Sequence, residues 1–223
     1  MNDLFFMLPE IIITAVAFLI LTLDIIWKGD ERSLTVLPWL ALGAVVAALA
    51  VTFMIWPNAS IDFAVATDTA DAVPMMAIDP MALFFKVLSL LTVALVGLSS
   101  VEYLRRHTPF RGEFFALTLL AGLSLMLVSG ATNLILIYLS IEFLSITSYI
   151  LTTYLRTDAR STEAGVKYLL YGAVSSGAML YGFSLLYGLT GSVDLVTIAT
   201  GLGDENIFFI VTSIFLILAG FGF

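Results

Sequence analysis

Residues 133–192 decide the fold, and they read NLILIYLSIEFLSITSYILTTYLR, then TDARSTEAG, then VKYLLYGAVSSGAMLYGFSLLYGLTGS. Two apolar runs flank a short charged turn, and each is long enough to cross a bilayer, which takes about 20 residues. Each run carries an ionisable side chain within its apolar length, Glu142 in the first and Lys167 in the second. A charge at membrane depth costs about 2.5–3.5 kcal/mol, so we interpret both residues as candidates for function.

The composition of the whole chain indicates an integral membrane protein. Of its 223 residues, 61% are hydrophobic and only 12% are charged, whereas soluble domains carry about 25% charged residues. The sequence contains no cysteine, which excludes disulfides, thiolate metal sites and cysteine nucleophiles. A net charge of −8 argues against a nucleic-acid partner. Met1–Glu10 contains no Lys or Arg, so we expect no signal peptide.

The hydrophobic pattern predicts an all-α integral membrane fold with about seven transmembrane helices in one domain, residues 1–223. We expect a short hairpin in Trp56–Ile78 and a short interfacial helix in Val193–Leu202. The predicted spans are about Leu4–Trp27, Leu34–Ile55, Met81–Tyr103, Phe114–Ser129, Leu134–Leu155, Glu163–Tyr187 and Ile207–Phe223.

The basic residues predict the orientation of these spans. Outside the spans, Lys and Arg occur only in alternate connections, and the connections 56–78, 130–133 and 188–206 contain none. By the positive-inside rule, the loops after odd-numbered spans are cytoplasmic and the N-terminus is outside. The basic residues of those loops are Lys28, Arg32, Arg105, Arg106, Arg111, Arg156 and Arg160.

The last apolar run, which ends at Phe223, has no charged or aromatic flank to mark a membrane interface. A helix that stopped within the bilayer would leave its last carbonyl groups without partners in hydrocarbon. The sequence therefore predicts that these residues are part of a longer chain.

Glu142 belongs to a polar stripe on an otherwise apolar helix. Residues spaced by three and four share one helix face, and such a stripe needs a neighbouring helix or a water-filled cavity, since lipid offers it nothing. Burial favours the protonated form of a carboxyl group, so Glu142 is a candidate to load and release a proton; the alternative is a permanently protonated residue that joins helices. The stripe is Tyr138, Glu142, Ser145, Tyr149 and Thr152.

Lys167 allows two interpretations. It lies near the predicted cytoplasmic end of its helix, where it can extend back to the interface or pair with Glu163 four residues earlier. It also shares a face with Tyr171 and Ser175, which favours an inward side chain and a relay role. An antiparallel hairpin staggers Glu142 and Lys167 by roughly 10 Å in height, so we expect no direct contact between them.

Four other ionisable residues carry weaker predictions. Lys86 lies near the outer end of its span, and we expect it to extend to the interface, with a buried role as the alternative. Asp24 and Glu10 are expected at the two interfaces. His107 lies among arginines with no second ligand in the sequence, and no metal site is expected there.

Two long runs of the sequence resemble a known protein family. The runs GEFFALTLLAGLSLMLVSGATNLILIYLSIEFLSITSYILTTYLR and EAGVKYLLYGAVSSGAMLYGFSLLYGLTGS closely resemble the subunit N family of proton-pumping NADH:quinone oxidoreductase, respiratory complex I. The antiporter-like subunits share a glutamate in the fifth span, matched by Glu142. Subunit N also has a lysine that opens the sixth span, matched by Lys167. The resemblance is strong over Gly112–Phe223, and the earlier residues agree in span layout and in the Asp79-Pro80 entry to span three.

The resemblance implies an architecture and a mechanism. Family members have about fourteen spans, formed by two inverted repeats after three leading helices. Residues 1–111 would then be the leading helices with their loops, and residues 112–223 most of the first repeat. The family has a further key lysine in a broken seventh helix, about where LAGFGF ends this sequence. The implied mechanism is redox-driven proton translocation, in which Glu142 and Lys167 relay protons and perform no covalent chemistry.

The resemblance also implies where the cofactors and partners lie. No cofactor or metal is expected in this chain, whereas NADH, FMN, iron–sulfur clusters and quinone are expected in partner subunits. The expected partners are the other membrane subunits of complex I and the lipid bilayer. The expected location is the bacterial plasma (inner) membrane, as a multi-pass protein.

Three alternatives stay open at the level of sequence. A subunit of a multisubunit cation/proton antiporter would share the fold and the Glu/Lys pattern. A seven-helix photopump would need a Schiff-base lysine in its seventh span, and Ile207–Phe223 has none. A non-catalytic membrane scaffold would use its buried charges only to pack helices, and replacing the glutamate by an isosteric neutral residue separates it from a transporter.

Overall fold

The computed structural model describes residues 5–27, 31–59, 61–63, 75–108, 111–203 and 206–222. These residues form eight α-helices and one two-stranded antiparallel hairpin. The helices are α1 (Leu8–Trp27), α2 (Glu31–Ile55), α3 (Pro80–His107), α4 (Gly112–Ser129), α5 (Leu134–Thr152), α6 (Ala159–Thr190), α7 (Leu195–Gly201) and α8 (Ile207–Phe221); the strands are β1 (Ile61–Phe63) and β2 (Met76–Ile78).

The predicted all-α membrane fold is confirmed. Helices α1 to α6 are long and apolar enough to cross a membrane, and the apolar helix α8 is shorter, with 15 residues. The predicted hairpin and the predicted short helix are also present, as β1–β2 and α7. The predicted span ends Leu4 and Phe223, the loop residue Lys28 and most of the predicted outer loop, residues 64–74, lie outside the described residues.

Side-chain caps fix where several helices begin. Asp79 accepts a hydrogen bond of 2.6 Å from the Ala82 N–H at the start of α3, and Pro80 occupies the first turn, where a missing N–H costs nothing. Asn133 caps α5 in the same way, and Asp158 caps α6. Because Asp158 starts α6 at Ala159, this helix begins one turn before the predicted span. It ends at Gly191, whose φ of 69° requires the left-handed region that glycine adopts without strain.

Helices α1 to α4 form a bundle in which α1 and α3 lie on one diagonal. Both α1 and α3 pack on α2 and α4, and the bundle core is apolar. Helix α5 packs on the outside of α4 and on α6, and α6 packs along α8. The buried residues at the centre of the bundle are Ile13, Ala17, Ile20, Leu37, Ala41, Val45, Leu90, Leu119, Leu123 and Met126.

Close packing of α6 on α8 depends on glycine. A Cβ atom at Gly182 would lie 2.8 Å from the backbone carbonyl oxygen of Ser213, closer than van der Waals contact allows. The missing side chain therefore lets the two helix backbones approach, which is the usual way that membrane helices gain packing energy.

Main-chain bridges join the connections at one end of the helices, which we call the hairpin end. Strand β2 meets the α4–α5 connection, where the Ala77 N–H donates to the Gly130 carbonyl at 2.7 Å. The same connection meets the chain before α7, where the Leu134 N–H donates to the Val193 carbonyl at 2.8 Å. The opposite end carries Arg105, Arg111 and Arg156, and we call it the basic end.

Candidate functional site

Glu142 lies on the polar stripe that the sequence predicts along α5. Its carboxyl group lies near the Tyr138 hydroxyl, one turn earlier on the same helix. Its Oε1 atom is buried and has no hydrogen-bond partner among the described residues. A buried carboxyl oxygen without a partner costs free energy unless water, a proton or another group satisfies it. Oε1 is therefore the atom of this stripe at which a proton would be stabilising.

Further hydroxyl groups lie between Glu142 and the basic end. The Tyr149 side chain lies near Ser145, which is one turn after Glu142. Its ring meets the Tyr168 ring of α6 edge to face, with the centroids 4.9 Å apart. The Ser148 and Tyr168 hydroxyl oxygens lie 3.3 Å apart, and the Ser148 hydroxyl also donates to the Ser145 carbonyl oxygen at 2.7 Å. The stripe therefore faces α6 and continues onto it through Tyr168.

Glycines of α6 create the space for this contact. A Cβ atom at Gly172 would overlap the Tyr149 hydroxyl and ring, and one at Gly165 would overlap the Thr153 side chain. Gly165, Tyr168 and Gly172 are spaced by three and four residues, so they share the face that meets α5. Because these two positions lack side chains, the backbones of α5 and α6 can approach each other, and Tyr168 lies against the α5 stripe.

Lys167 does not share this face with Tyr168, and within the described residues its side chain is not directed towards α5. A helix turns about 100° per residue, so the face that brings Tyr168 to α5 directs Lys167 away from it. The Lys167 ammonium pairs with Glu163, the alternative that the sequence offered, and its side chain is 63% exposed. Tyr171 is exposed as well, whereas the Ser175 hydroxyl donates to the Gly220 carbonyl of α8 at 3.0 Å. Glu142 and Lys167 are not brought together.

For Lys86 the structure bears out the alternative, a buried side chain, and Glu10, which was expected at the interface, is buried with it. The Lys86 ammonium lies 2.5 Å from Glu10 Oε1, and the two side chains are 0% and 4% exposed. The pair joins α3 to α1 across the diagonal of the bundle. Phe6, Ile78 and Leu83 close a small apolar cluster at the same end of these helices, so extension to water would require Lys86 to cross packed apolar side chains.

Asp24 is buried against the start of α4, near the basic end. Its carboxylate lies close to the backbone N–H groups of Gly112 and Glu113, and Arg111 lies nearby. The residue before α4 offers no side-chain cap, so the Asp24 carboxylate is placed beside the free N–H groups that begin α4. A Cβ at Gly112 would lie 2.5 Å from the Asp24 Cβ, so this approach also needs glycine.

Two further contacts tie the end of α5 to the start of α4. The Phe114 N–H donates to the Tyr154 hydroxyl oxygen at 3.1 Å, and Arg156 pairs with Glu113 at 2.6 Å. Burial, followed by the Glu113 carboxylate, raises the pKa of the Tyr154 hydroxyl well above its usual value. Tyr154 therefore stays protonated at physiological pH. The basic end of the stripe-bearing helix is fixed to the bundle.

Sequence reasoning missed Tyr168, the Glu10–Lys86 pair and the capping role of Asp24. The spacing of Gly165, Tyr168 and Gly172 is the signal that identifies the α5-facing side of α6. On α1, Glu10 and Asp24 share one face with Ile13, Ala17 and Ile20, and that spacing marks the buried side. Among the described residues, no group of three or more His, Cys, Asp or Glu side chains is placed to hold a metal ion.

The fold and the buried charges define a multi-pass membrane protein of the antiporter-like class. Residues 131–223 match the family described as NADH:quinone oxidoreductase/Mrp antiporter, transmembrane region. In solved structures, a chain of respiratory complex I from Thermus thermophilus superimposes with a TM-score of 0.70 at 25% identity, over 96% of this chain and 43% of that one.

Sequence relatives make the assignment more specific. NADH-quinone oxidoreductase subunit N of Methylovorus glucosotrophus is 36% identical over 100% of this chain and 44% of its own length. Subunit N of Desulfitobacterium hafniense is 47% identical over 65% of this chain and 29% of its own length. The chain is thus a homologue of the subunit N family, and it spans less than half the length of these relatives.

Proposed function

We propose that the chain is the proton-translocating part of a membrane subunit of NADH:quinone oxidoreductase. Electron transfer from NADH to quinone takes place in other subunits, and this chain has no redox centre of its own. The observation that carries the proposal is the Glu142 carboxyl group, whose Oε1 atom is buried and unpartnered among the described residues at the α5–α6 contact. Names and folds of the relatives support the same function.

Glu142 is the group that loads and releases the proton in this proposal. A buried carboxyl group changes its protonation state when the charge or the hydration around it changes. In this proposal, water reaches Oε1 during part of the cycle and favours the charged form, and its withdrawal then favours the protonated form. Proton uptake and release by Glu142 are thereby coupled to a rearrangement that electron transfer drives elsewhere in the assembly.

Lys167 is the second relay residue of the proposal. Its ion pair with Glu163 is largely exposed on the surface of this chain. A charged pair facing hydrocarbon is costly, so another helix or a water-filled space faces it in the assembly. Movement of Lys167 between Glu163 and that space would change the positive charge near the stripe.

The position of the chain in the membrane follows from its charges. We propose that the basic end faces the cytoplasm of a bacterium and the hairpin end faces outward, because Arg and Lys residues are retained on the cytoplasmic side. Residues 1–111 are the leading helices and residues 112–223 most of the first antiporter-like repeat. The partners are the other membrane subunits of the oxidoreductase, in which NADH, FMN, iron–sulfur clusters and quinone are bound.

A subunit of a multisubunit cation/proton antiporter is the second candidate, because the matched family includes both classes. The same proton chemistry would operate there without a redox partner. Purification of the native assembly separates the two, since the oxidoreductase retains NADH oxidation and the antiporter does not.

The test of the proposed function is Glu142→Gln in the intact assembly. In inverted membrane vesicles, NADH oxidation and proton uptake are followed side by side, with the amount of assembled complex measured in each preparation. We expect both rates to fall by at least about tenfold with the complex assembled, because the amide cannot carry the proton, and Glu142→Asp to retain part of both. Wild-type oxidation and uptake in assembled Glu142→Gln would overturn the proposal.

A further inference from the structure

We propose that the hydroxyl groups of Tyr168, Ser148, Tyr149 and Ser145 form the route by which protons travel between the basic end and Glu142. This inference rests on the proposed function, since it needs Glu142 to be the proton acceptor. It adds residues that act directly on the proton, and it places the route at the α5–α6 contact.

The geometry of the contact supports a route along one face of α5. The Ser148 and Tyr168 hydroxyl oxygens lie 3.3 Å apart, and the Tyr149 side chain lies near Ser145 on the same stripe. Ser145 lies one turn from Glu142, whose Oε1 is buried without a partner among the described residues. In the proposed route, water bridges the groups that do not contact each other directly.

Gly172 gives the Tyr149 hydroxyl a defined position. The space that a Cβ at this residue would fill is occupied by the Tyr149 hydroxyl and the adjoining ring atoms. The Tyr168 ring then holds Tyr149 from its edge. Phenylalanine at these two positions would pack equally well. The hydroxyl groups of Tyr149 and Tyr168 therefore need an explanation other than ring packing.

A cleft of about 300 Å³ lies near the basic end of α5. Thr153 lines the cleft and packs on Gly165, one helical turn before Tyr168. In the proposed route, water in this cleft supplies the proton. The cleft residues are Ile150, Thr153, Tyr154, Arg156 and Thr162.

The bundle of α1 to α4 is less suited to such a route, because its described core between the two ends is apolar. Proton transfer needs groups that can both donate and accept along a line, and the hydroxyl groups at the α5–α6 contact are groups of this kind.

The transfer balances in protons and charge. With the Tyr168 hydroxyl turned to donate to the Ser148 oxygen or to a bridging water, a proton from water in the cleft binds the Tyr168 oxygen as its own proton leaves along the route. Each hydroxyl gains one O–H bond as it loses another, and the Glu142 carboxylate receives the last proton. Rotation of the hydroxyl groups restores the starting arrangement, and one proton has moved with no group oxidised or reduced.

The test compares Tyr149→Phe and Tyr168→Phe with Tyr181→Phe, a matched control on α6 whose side chain is exposed and lies off the route. Phenylalanine keeps the ring contacts, so the complex is expected to assemble at wild-type levels. We expect proton uptake in inverted vesicles to fall by about fivefold or more in the first two variants and to stay unchanged in the control, because one proton-transfer group is lost.

Heavy water provides the readout that a purely structural role would not change. If the route is correct, the solvent isotope effect on NADH oxidation rises in Tyr149→Phe and Tyr168→Phe, since proton delivery becomes rate-limiting. Wild-type uptake in both variants overturns the route, and so does slower uptake with an unchanged isotope effect.

Glu142→Gln in the same preparations separates the two proposals. Loss of uptake in Glu142→Gln with normal uptake in the tyrosine variants contradicts only the route. Normal uptake in Glu142→Gln contradicts the proposed function and the route together. If a tyrosine variant fails to assemble, Ser148→Ala is used in its place, because it removes a small hydroxyl at the same contact. Proton uptake and the solvent isotope effect are then measured in the same way.

Discussion

The ammonium group of Lys86 lies 2.5 Å from the carboxylate of Glu10, and both side chains are buried between helices that do not neighbour each other around the bundle. Such a pair is expensive to desolvate, so its presence is weak support for a gain in stability. It does, however, disfavour every packing of α1 against α3 that would separate the two charges. We therefore interpret the pair as a determinant of how the leading helices align.

Removing one partner of this pair should be far more damaging than removing both. Lys86→Met leaves the Glu10 carboxylate buried and unpaired, which costs about 3–5 kcal/mol, whereas exchange of both residues for apolar ones of similar volume is close to neutral. We expect Lys86→Met to lower the thermal stability and the yield of the purified complex, and Glu10→Leu combined with Lys86→Met to restore both.

Proton uptake by the double variant distinguishes alignment from proton transfer. If the Glu10–Lys86 pair only aligns α1 with α3, the assembled double variant takes up protons at the wild-type rate, because no titratable group of the route has been lost. An assembled double variant that fails to take up protons would show that the interpretation is wrong and that Glu10 and Lys86 handle protons.

The helix layout was predictable because it depends on runs of apolar residues and on short capping motifs, both of which can be read along the chain. Hydrophobic run length identifies the spans, and a cap such as Asp79 followed by Pro80 identifies a helix start. The start of α6 was predicted one turn late because its first turn, beginning at Ala159, is polar and does not contribute to an apolar run.

Side-chain orientation was less predictable, because membrane helices are apolar on every face. On α1 the buried residues Ile13 and Ala17 and the exposed residue Phe18 look alike in composition, so nothing in hydropathy marks Glu10 as facing the core. On α6 the adjacent residues Lys167 and Tyr168 point in different directions, and only the glycine spacing shows which of them meets α5. Lys167 was selected from the sequence because it is charged, whereas Tyr168 makes the contact with α5.

The ion pair between Lys167 and Glu163 should contribute little to stability. Both side chains are about two-thirds exposed, and exposed pairs of this kind are worth less than about 1 kcal/mol. We expect Glu163→Gln to leave the melting temperature of the complex unchanged.

A functional Lys167 would instead be detected by proton uptake. If Lys167 is a relay residue, Lys167→Met lowers uptake in inverted vesicles while Glu163→Gln has a smaller effect. Equal and wild-type uptake in both variants would assign the pair to the surface of the helix alone.

Two glycines of α6 provide a matched comparison of packing. A Cβ at Gly182 would lie 2.8 Å from the Ser213 carbonyl oxygen, whereas Gly177 has no atom within 4 Å of the corresponding position. We expect Gly182→Ala to reduce the stability of the complex by about 1–3 kcal/mol through overpacking.

Gly177→Ala serves as the control, because it brings the same gain in helix propensity without a clash. This gain is up to about 1 kcal/mol, so the melting temperature should be unchanged or slightly raised. A loss of stability that is equal in Gly177→Ala and Gly182→Ala would contradict the described packing of α6 on α8.

Asp24 should behave as a helix cap supplied by a different helix. Because its carboxylate lies beside the free backbone N–H groups of Gly112 and Glu113, Asp24→Ala removes their nearby acceptor, and loss of a cap costs about 0.5–2 kcal/mol. Asp24→Asn keeps an acceptor oxygen and should retain most of the stability. Thermal unfolding of the purified complex measures both variants, and proton uptake at a temperature well below unfolding should stay at wild-type levels in each.

If Asp24→Asn is as unstable as Asp24→Ala, the negative charge beside Arg111 matters more than the cap. If Asp24→Asn assembles normally but takes up no protons, Asp24 is part of the proton path and the capping role is an incomplete description.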